Sequence, residues 1–196
     1  MIVMTLPIMA ANDTSVAMGL AKRILGTQAQ HFVFRKTADS LDTFTLESSG
    51  AKIVISANNA NSMAMALNYY LKNYCHTAIS WYKDDPIEIP AKLPAVSGKV
   101  TVKARLPMRF FLNYCTYGYS MPWWTWREWE HMIDWMALNG VNMPLALTGQ
   151  ESTWYNVWRK FGLSDEDIRS FFSGPAYLGW HRMCNFDSFM GPLSKD

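Results

Sequence analysis

Eight of the nine tryptophans lie between Trp123 and Trp180, and Trp81 alone precedes them. A single core drawing evenly on the chain would not sort its largest side chains in this way, so two packing regimes share one polypeptide. Between them, Pro90 to Lys99 carries linker chemistry in Pro94, Ser97 and Gly98, and Pro107 marks the next entry. The boundary is expected at 105, giving an N-terminal domain over 12–105 and a second region over 106–196.

The N-terminal region reads as a small α/β domain. Ala17, Leu20, Ala21, Ile24 and Leu25 share one face of a helix that starts at Thr14 and stops at Gly26. His31 to Lys36, Thr43 to Glu47 and Lys52 to Ser56 are short runs bounded by Ser, Gly and Asn, which predicts strands. From Ser62 to Tyr74 the apolar positions Met63, Ala66, Leu67, Tyr70, Leu71 and Tyr74 recur at helical spacing, which predicts a second helix. A further strand pair is expected at Ala78 to Tyr82 and Val100 to Lys103. The first eleven residues, MIVMTLPIMAA, are apolar but lack a basic leading segment, so a signal-peptide remnant and an ordinary N-terminal strand both stay open for 1–11.

In the second region the pattern alternates between extended and helical. RFFLNYCT (109–116) predicts a strand, and Thr125 to Asn139 a helix with Thr125 and Glu128 as its capping box and Gly140 as its C-terminal cap. Trp126, Trp129, Met132, Ile133 and Met136 are expected to form its buried face. Val141 to Leu147 reads as a buried strand, Glu151 to Phe161 as a helix ended by Gly162, and Ser164 with Asp167 as the start of another helix stopped by Gly174 and Pro175. Strand, helix, strand, helix with short connections implies βαβ units and parallel strands.

Composition excludes several classes. A net charge of +2 with no run of five like charges leaves no electrostatic footprint for nucleic acid. No stretch approaches eighteen consecutive apolar residues, so no membrane-spanning helix is expected. Cys75, Cys115 and Cys184 are too scattered for a disulfide framework or a zinc site, and His31, His76, His131 and His181 show no HExxH spacing, so neither a metal nor another cofactor is expected.

Ligands of parallel βα arrangements bind at the loops that follow the strand C-termini. Here those loops carry Asn113, Cys115, Thr116, Tyr117 and Tyr119, then Trp123 and Trp124, and on a second rim Thr148, Gln150 and Glu151. Amide, hydroxyl and carboxylate groups beside flat aromatic faces suit a neutral polyhydroxylated ligand. Each residue has a plainer use: Cys115 as a small buried hydrophobe, Glu151 as a helix-dipole partner, the tryptophans as core. Asp134, Asp165, Glu166 and Asp167 read as solvated or dipole-complementing charges.

The stretch RFFLNYCTYGYSMPWWTWREWEHMIDWMALNGVNMPLALTGQES (109–152), continued by FFSGPAYLGWHRMCNFDSFMGPL (171–193), resembles the start of the catalytic domain of α-N-acetylglucosaminidases, glycoside hydrolase family 89. The order N-x-C-T-x-x-Y-S, WW, W-E, IDWMALNGVN, GQE, FF-x-GPA, GPL is long and nonrepetitive, and the region before 105 resembles the family's N-terminal domain. The resemblance implies an exo-acting retaining hydrolase of glycans ending in α-linked N-acetylglucosamine, located in the periplasm or secreted, or lysosomal in a eukaryote. Its two catalytic glutamates would fall on later barrel strands, beyond Asp196, so no catalytic residue is expected in this chain. Carried over position by position, Asn113 and Tyr119 would hydrogen-bond the terminal sugar, Cys115 would line the pocket floor and Trp180 would wall it. Gln150 and Glu151 match a family motif and complete the substrate-binding set.

A complete (β/α)8 TIM barrel takes about 250 residues, so 106–196 supplies only its first βα units and the chain reads as a truncated piece of a larger enzyme. By itself it is not expected to hydrolyse glycosides, and an open parallel edge should drive it to aggregate or form oligomers. The alternative is a noncatalytic carbohydrate-binding or interaction module that uses the same aromatic rim.

Overall fold

The computed structural model describes residues 12–82, 87–119, 121–146, 149–177 and 179–180. The expectations for 1–11, and for Thr148, His181 and Cys184, lie outside these residues. Two compact units divide the chain: Met1–Arg109 with His131–Asn142, and Phe110–Glu130 with Met143–Asp196.

The first unit is a two-layer α/β structure. Helix α1 (Asp13–Leu25) is capped by the Asn12 side chain, which accepts from Thr14 N. Strands β1 (Phe32–Lys36), β2 (Thr43–Ser49) and β3 (Lys52–Ala57) follow, then α2 (Ala60–Asn73), capped by Asn59, and β4 (Val100–Lys103). The sheet order is β1-β3-β2-β4, with β1 parallel to β3 and the other neighbours antiparallel. Alternation along the strands turns Phe32, Phe34, Phe44, Leu46, Ile53 and Ile55 toward the helices. They meet Leu20 and Leu25 of α1 and Met63, Leu67, Tyr70 and Leu71 of α2, the stripes that the helical spacing predicts.

Strand β4 pairs with β2, and Ala78 to Tyr82 is not a strand. That segment instead gives its polar and aromatic groups to residues 131–142. The His131 Nε2 lies 2.7 Å from the Ser80 carbonyl oxygen, and Trp81 packs on Trp135 with ring centroids 6.3 Å apart.

Helix α4 (Trp126–Leu138) starts as its capping box predicts, with the Glu128 carboxylate accepting from Thr125 N at 2.8 Å. It ends in a Schellman motif at Gly140, whose φ is 75°. Gly140 N donates to Ala137 O at 3.1 Å and Val141 N to Met136 O at 2.9 Å. Its buried face differs from the expected one. Met132, Asp134, Met136 and Leu138 are buried, whereas Trp126 and Ile133 are exposed. Asp134, expected to be solvated, is 4% exposed and takes a bidentate hydrogen-bonded ion pair from Arg23 of α1, with both N–O distances 2.6 Å. A carboxylate becomes tolerable at a helix–helix seam when a guanidinium meets it in this geometry. Leu138 completes the core of the first unit, and the buried Asn68 amide of α2 donates to its carbonyl at 2.8 Å.

In the second unit, β5 (Phe110–Phe111) and β6 (Met143–Pro144) form a parallel pair. Both are shorter than the expected strands over 109–116 and 141–147, and β6 is exposed rather than buried. Strand β5 ends because Leu112 has a φ of 77°, and helix α3 (Tyr114–Tyr119) begins two residues on. Helix α5 (Gln150–Lys160) and helix α6 (Asp165–Phe171) follow. Ser164 caps α6 by accepting from Asp167 N at 3.0 Å, as the sequence predicts. Asp165 lies in the first turn of α6, where it complements the helix dipole as expected, and it also pairs with Arg169.

Candidate functional site

Because β5 and β6 run parallel, the segments that leave their C-terminal ends emerge on the same side of the pair. The first carries Asn113 and α3, the second leads to α5.

Asn113 is exposed and serves as the N-cap of α3. Its Oδ1 accepts from Thr116 N at 3.1 Å and from Thr116 Oγ1 at 2.9 Å. The strained turn at Leu112, a conformation that costs a side-chain-bearing residue of order 1–2 kcal/mol, aims this cap away from the strand. Cys115 is half-buried in the first turn of α3. Tyr117 is buried, donates its hydroxyl to the Leu145 carbonyl just beyond β6, and stacks on Trp129 at 5.9 Å. The α3 helix is thereby fastened to the second strand.

Tyr119, at the end of α3, is 69% exposed and stands edge-to-face with Trp180 at 5.7 Å and 87°. Gly179 allows the approach. A Cβ there would lie 3.0 Å from the Tyr114 carbonyl oxygen, tighter than nine in ten real contacts, whereas one on Gly118 would meet Trp180 Nε1 at an ordinary 3.4 Å. The result is a corner of two aromatic rings at the C-terminal end of α3, of the kind that takes a ligand's apolar face.

Gln150 and Glu151 open α5, after Gly149 in the left-handed conformation (φ 89°) with no side-chain cap. A carboxylate in a first turn complements the helix dipole, so the plainer use of Glu151 is realised in the structure. The structure therefore brings Tyr119 and Trp180 together, places Asn113 and Cys115 at the opposite end of α3, and sets Gln150 and Glu151 on a separate helix. The roles of Leu112 and of Gly179 escape a reading of the sequence, although N-x-x-T at 113–116 is a cap signature that could have found the start of α3. Among the described residues no group of three or more His, Cys, Asp or Glu is placed to hold a metal. No described helix is long and apolar enough to cross a membrane.

The described residues thus form an α/β unit with a four-stranded sheet and a unit that holds a short parallel strand pair and helices. The family model described as the alpha-N-acetylglucosaminidase (NAGLU) N-terminal domain matches residues 15–95, and the one described as its tim-barrel domain matches 109–196. The human alpha-N-acetylglucosaminidase is 40% identical over 154 residues, which are 78% of this chain and 21% of that protein. A family 89 glycoside hydrolase from Clostridium perfringens, solved with 2-acetamido-1,2-dideoxynojirmycin, matches with a TM-score of 0.81 at 36% identity, covering 92% of this chain and 21% of that one. The same enzyme with two glutamates replaced by glutamine, in complex with its substrate GlcNAc-alpha-1,4-galactose, matches with a TM-score of 0.80 at 37% identity over the same shares. The chain belongs to the alpha-N-acetylglucosaminidase family, glycoside hydrolase family 89, and spans about a fifth of the length of these relatives.

Proposed function

We propose that this chain is the N-terminal portion of an exo-acting, retaining α-N-acetylglucosaminidase. Its N-terminal α/β domain occupies 12–105, and the opening βα units of an incomplete (β/α)8 barrel occupy 106–196. The partner is a glycan ending in α-linked N-acetylglucosamine, met in the periplasm or outside the cell, or in the lysosome of a eukaryote.

In this reading the rim holds the terminal sugar. Asn113 uses its Oδ1 for the cap, and its amide nitrogen, without a partner among the described residues, donates to a sugar hydroxyl or acetamido oxygen. Trp180 offers the apolar wall and Tyr119 the phenol that completes the corner. Cys115 lines the floor, and Gln150 and Glu151 approach from the second rim. Retaining hydrolysis needs two carboxyl groups roughly 5–5.5 Å apart, one as nucleophile and one as acid then base. Both are assigned beyond Asp196, and no metal or cofactor enters the reaction.

The observation that carries the reading is the Tyr119–Trp180 corner, in a chain 37% identical to an enzyme solved with a GlcNAc-terminated substrate. Titration of the chain with N-acetylglucosamine, followed by NMR, tests it. Shifts should concentrate at the Asn113 amide, Tyr119 and the Trp180 indole, and Trp180→Ala should weaken binding at least tenfold. Shifts confined to the N-terminal sheet, or binding indifferent to Trp180→Ala, would contradict it.

A further inference from the structure

Arg109 immediately precedes β5 and is half-buried at the end of the first unit. Its guanidinium meets acceptors from several separate segments. Nε donates to the Gly140 carbonyl, Nη2 donates to Asp42 Oδ2 and lies 3.5 Å from Asn61 Oδ1, and Nη1 donates to the Leu106 carbonyl at 2.9 Å. Its backbone is equally engaged. Arg109 N donates to Asn142 Oδ1 at 2.9 Å, its carbonyl accepts from Asn142 N at 3.3 Å, and Asn142 Nδ2 donates to the Pro107 carbonyl at 2.8 Å. Asn142 is the residue immediately before β6. The two positions that precede the paired strands are thus tied to each other, and through the guanidinium to Asp42, beside β2, and to the cap of α4.

The strand pair itself cannot specify its own register. It has two residue pairs, Phe110 with Met143 and Phe111 with Pro144, and Pro144 has no N–H to contribute. A ladder this short is open to slippage, and a slip of one residue turns every following side chain to the other face. Slippage would carry Leu112 and Asn113 with it.

We infer that Arg109 is a positioning residue: its fork, held by Asp42 and the Gly140 carbonyl, sets the register of β5 on β6 and so the place of Asn113 on the rim. The inference deepens the sugar-binding reading and rests on it for the part that concerns ligand. Lysine cannot substitute, because an ammonium is a point charge that reaches one of these acceptors and not all of them together.

Amide hydrogen exchange on the full 196-residue chain separates this role from general cohesion. Leu145 N donates to the Phe111 carbonyl at 3.0 Å and reports the strand pair, whereas the Leu67 and Leu71 amides report the core of the first unit. Arg109→Lys should lower protection at Leu145 at least tenfold while changing Leu67 and Leu71 less than threefold, and should raise the Kd for N-acetylglucosamine at least tenfold. Arg105→Gln, which removes an exposed cation without an ion pair among the described residues, should leave all these readouts unchanged. Asn142→Ala, which keeps the Arg109–Asp42 pair, should reproduce the selective loss at Leu145. Wild-type protection at Leu145 in Arg109→Lys, an equal loss at all three amides, or failure of both variants to fold would overturn the inference. If the wild-type chain binds no N-acetylglucosamine, the sugar-binding reading fails while the exchange pattern still decides the register.

Discussion

The pairing of Arg23 with Asp134 makes an asymmetric prediction. Both nitrogens of the pair lie 2.6 Å from the carboxylate, but the Arg23 side chain is 44% exposed and that of Asp134 only 6%. In Arg23→Gln the carboxylate stays at the seam between α1 and α4 without its cation, a situation that costs about 3–5 kcal/mol. In Asp134→Asn the guanidinium, already 44% exposed, can turn further into water, so the loss is that of a part-exposed charged hydrogen bond, about 1–2 kcal/mol. The difference, roughly 2 kcal/mol, is close to a thirtyfold difference in the opening equilibrium. Native-state exchange at Leu67 and Leu71, backed by urea unfolding followed by circular dichroism, reads both variants on one scale. Arg23→Gln should be the more damaging although it alters the more exposed residue. An equal loss, or a larger one for Asp134→Asn, would refute the desolvation argument and make the contact one of packing.

Three further outcomes are expected. Burial pushes the Asp42 carboxyl upward, but hydrogen bonds from Arg109 and Asn59 and the Arg109 charge outweigh it, so its pKa is depressed in the folded chain. Its contribution to stability is therefore complete above the unfolded carboxylate value, about 4, and is lost as pH falls through the folded value. Urea midpoints should drop below about pH 4, and less steeply in Asp42→Asn. Gly140→Ala should cost at least about 1–2 kcal/mol in thermal unfolding, because the position has φ 75° and the new Cβ would lie 2.8 Å from Met65 Sδ. Trp123, Trp126 and Phe161 are each more than 60% exposed, and such apolar surface should make the chain self-associate in analytical ultracentrifugation at micromolar concentration. A sharp monomer boundary would contradict that.

Regular periodicity made most of the first unit legible. The stripes of α1 and α2 and the alternation of β1 to β3 each follow from local spacing, and Gly26 and Gly140 mark true helix ends because each takes a positive φ. Legibility failed where a tertiary partner decides. Asp134 reads as a surface charge until Arg23 is known to lie opposite, and Trp126, on the same apolar stripe as the buried Met132 and Met136, is itself exposed. RFFLNYCT has strand composition, but the Asn113 side chain captures Thr116 and turns the chain into α3. At the candidate site, residue identities were readable as polar groups beside aromatics, whereas the approach of Trp180 to α3 needs Gly179, whose only signal is the lack of a side chain.

The central claim is that this chain forms part of an α-N-acetylglucosaminidase sugar site and leaves the catalytic carboxylates to later barrel strands. Hydrolysis of a chromogenic α-N-acetylglucosaminide tests it most directly, with the purified 196-residue chain assayed beside a version extended through whatever coding sequence follows Asp196. The account predicts turnover by the extended protein, reduced by Trp180→Ala, and none by the 196-residue chain. Turnover by the short chain would contradict it and would make Glu151 a catalytic residue.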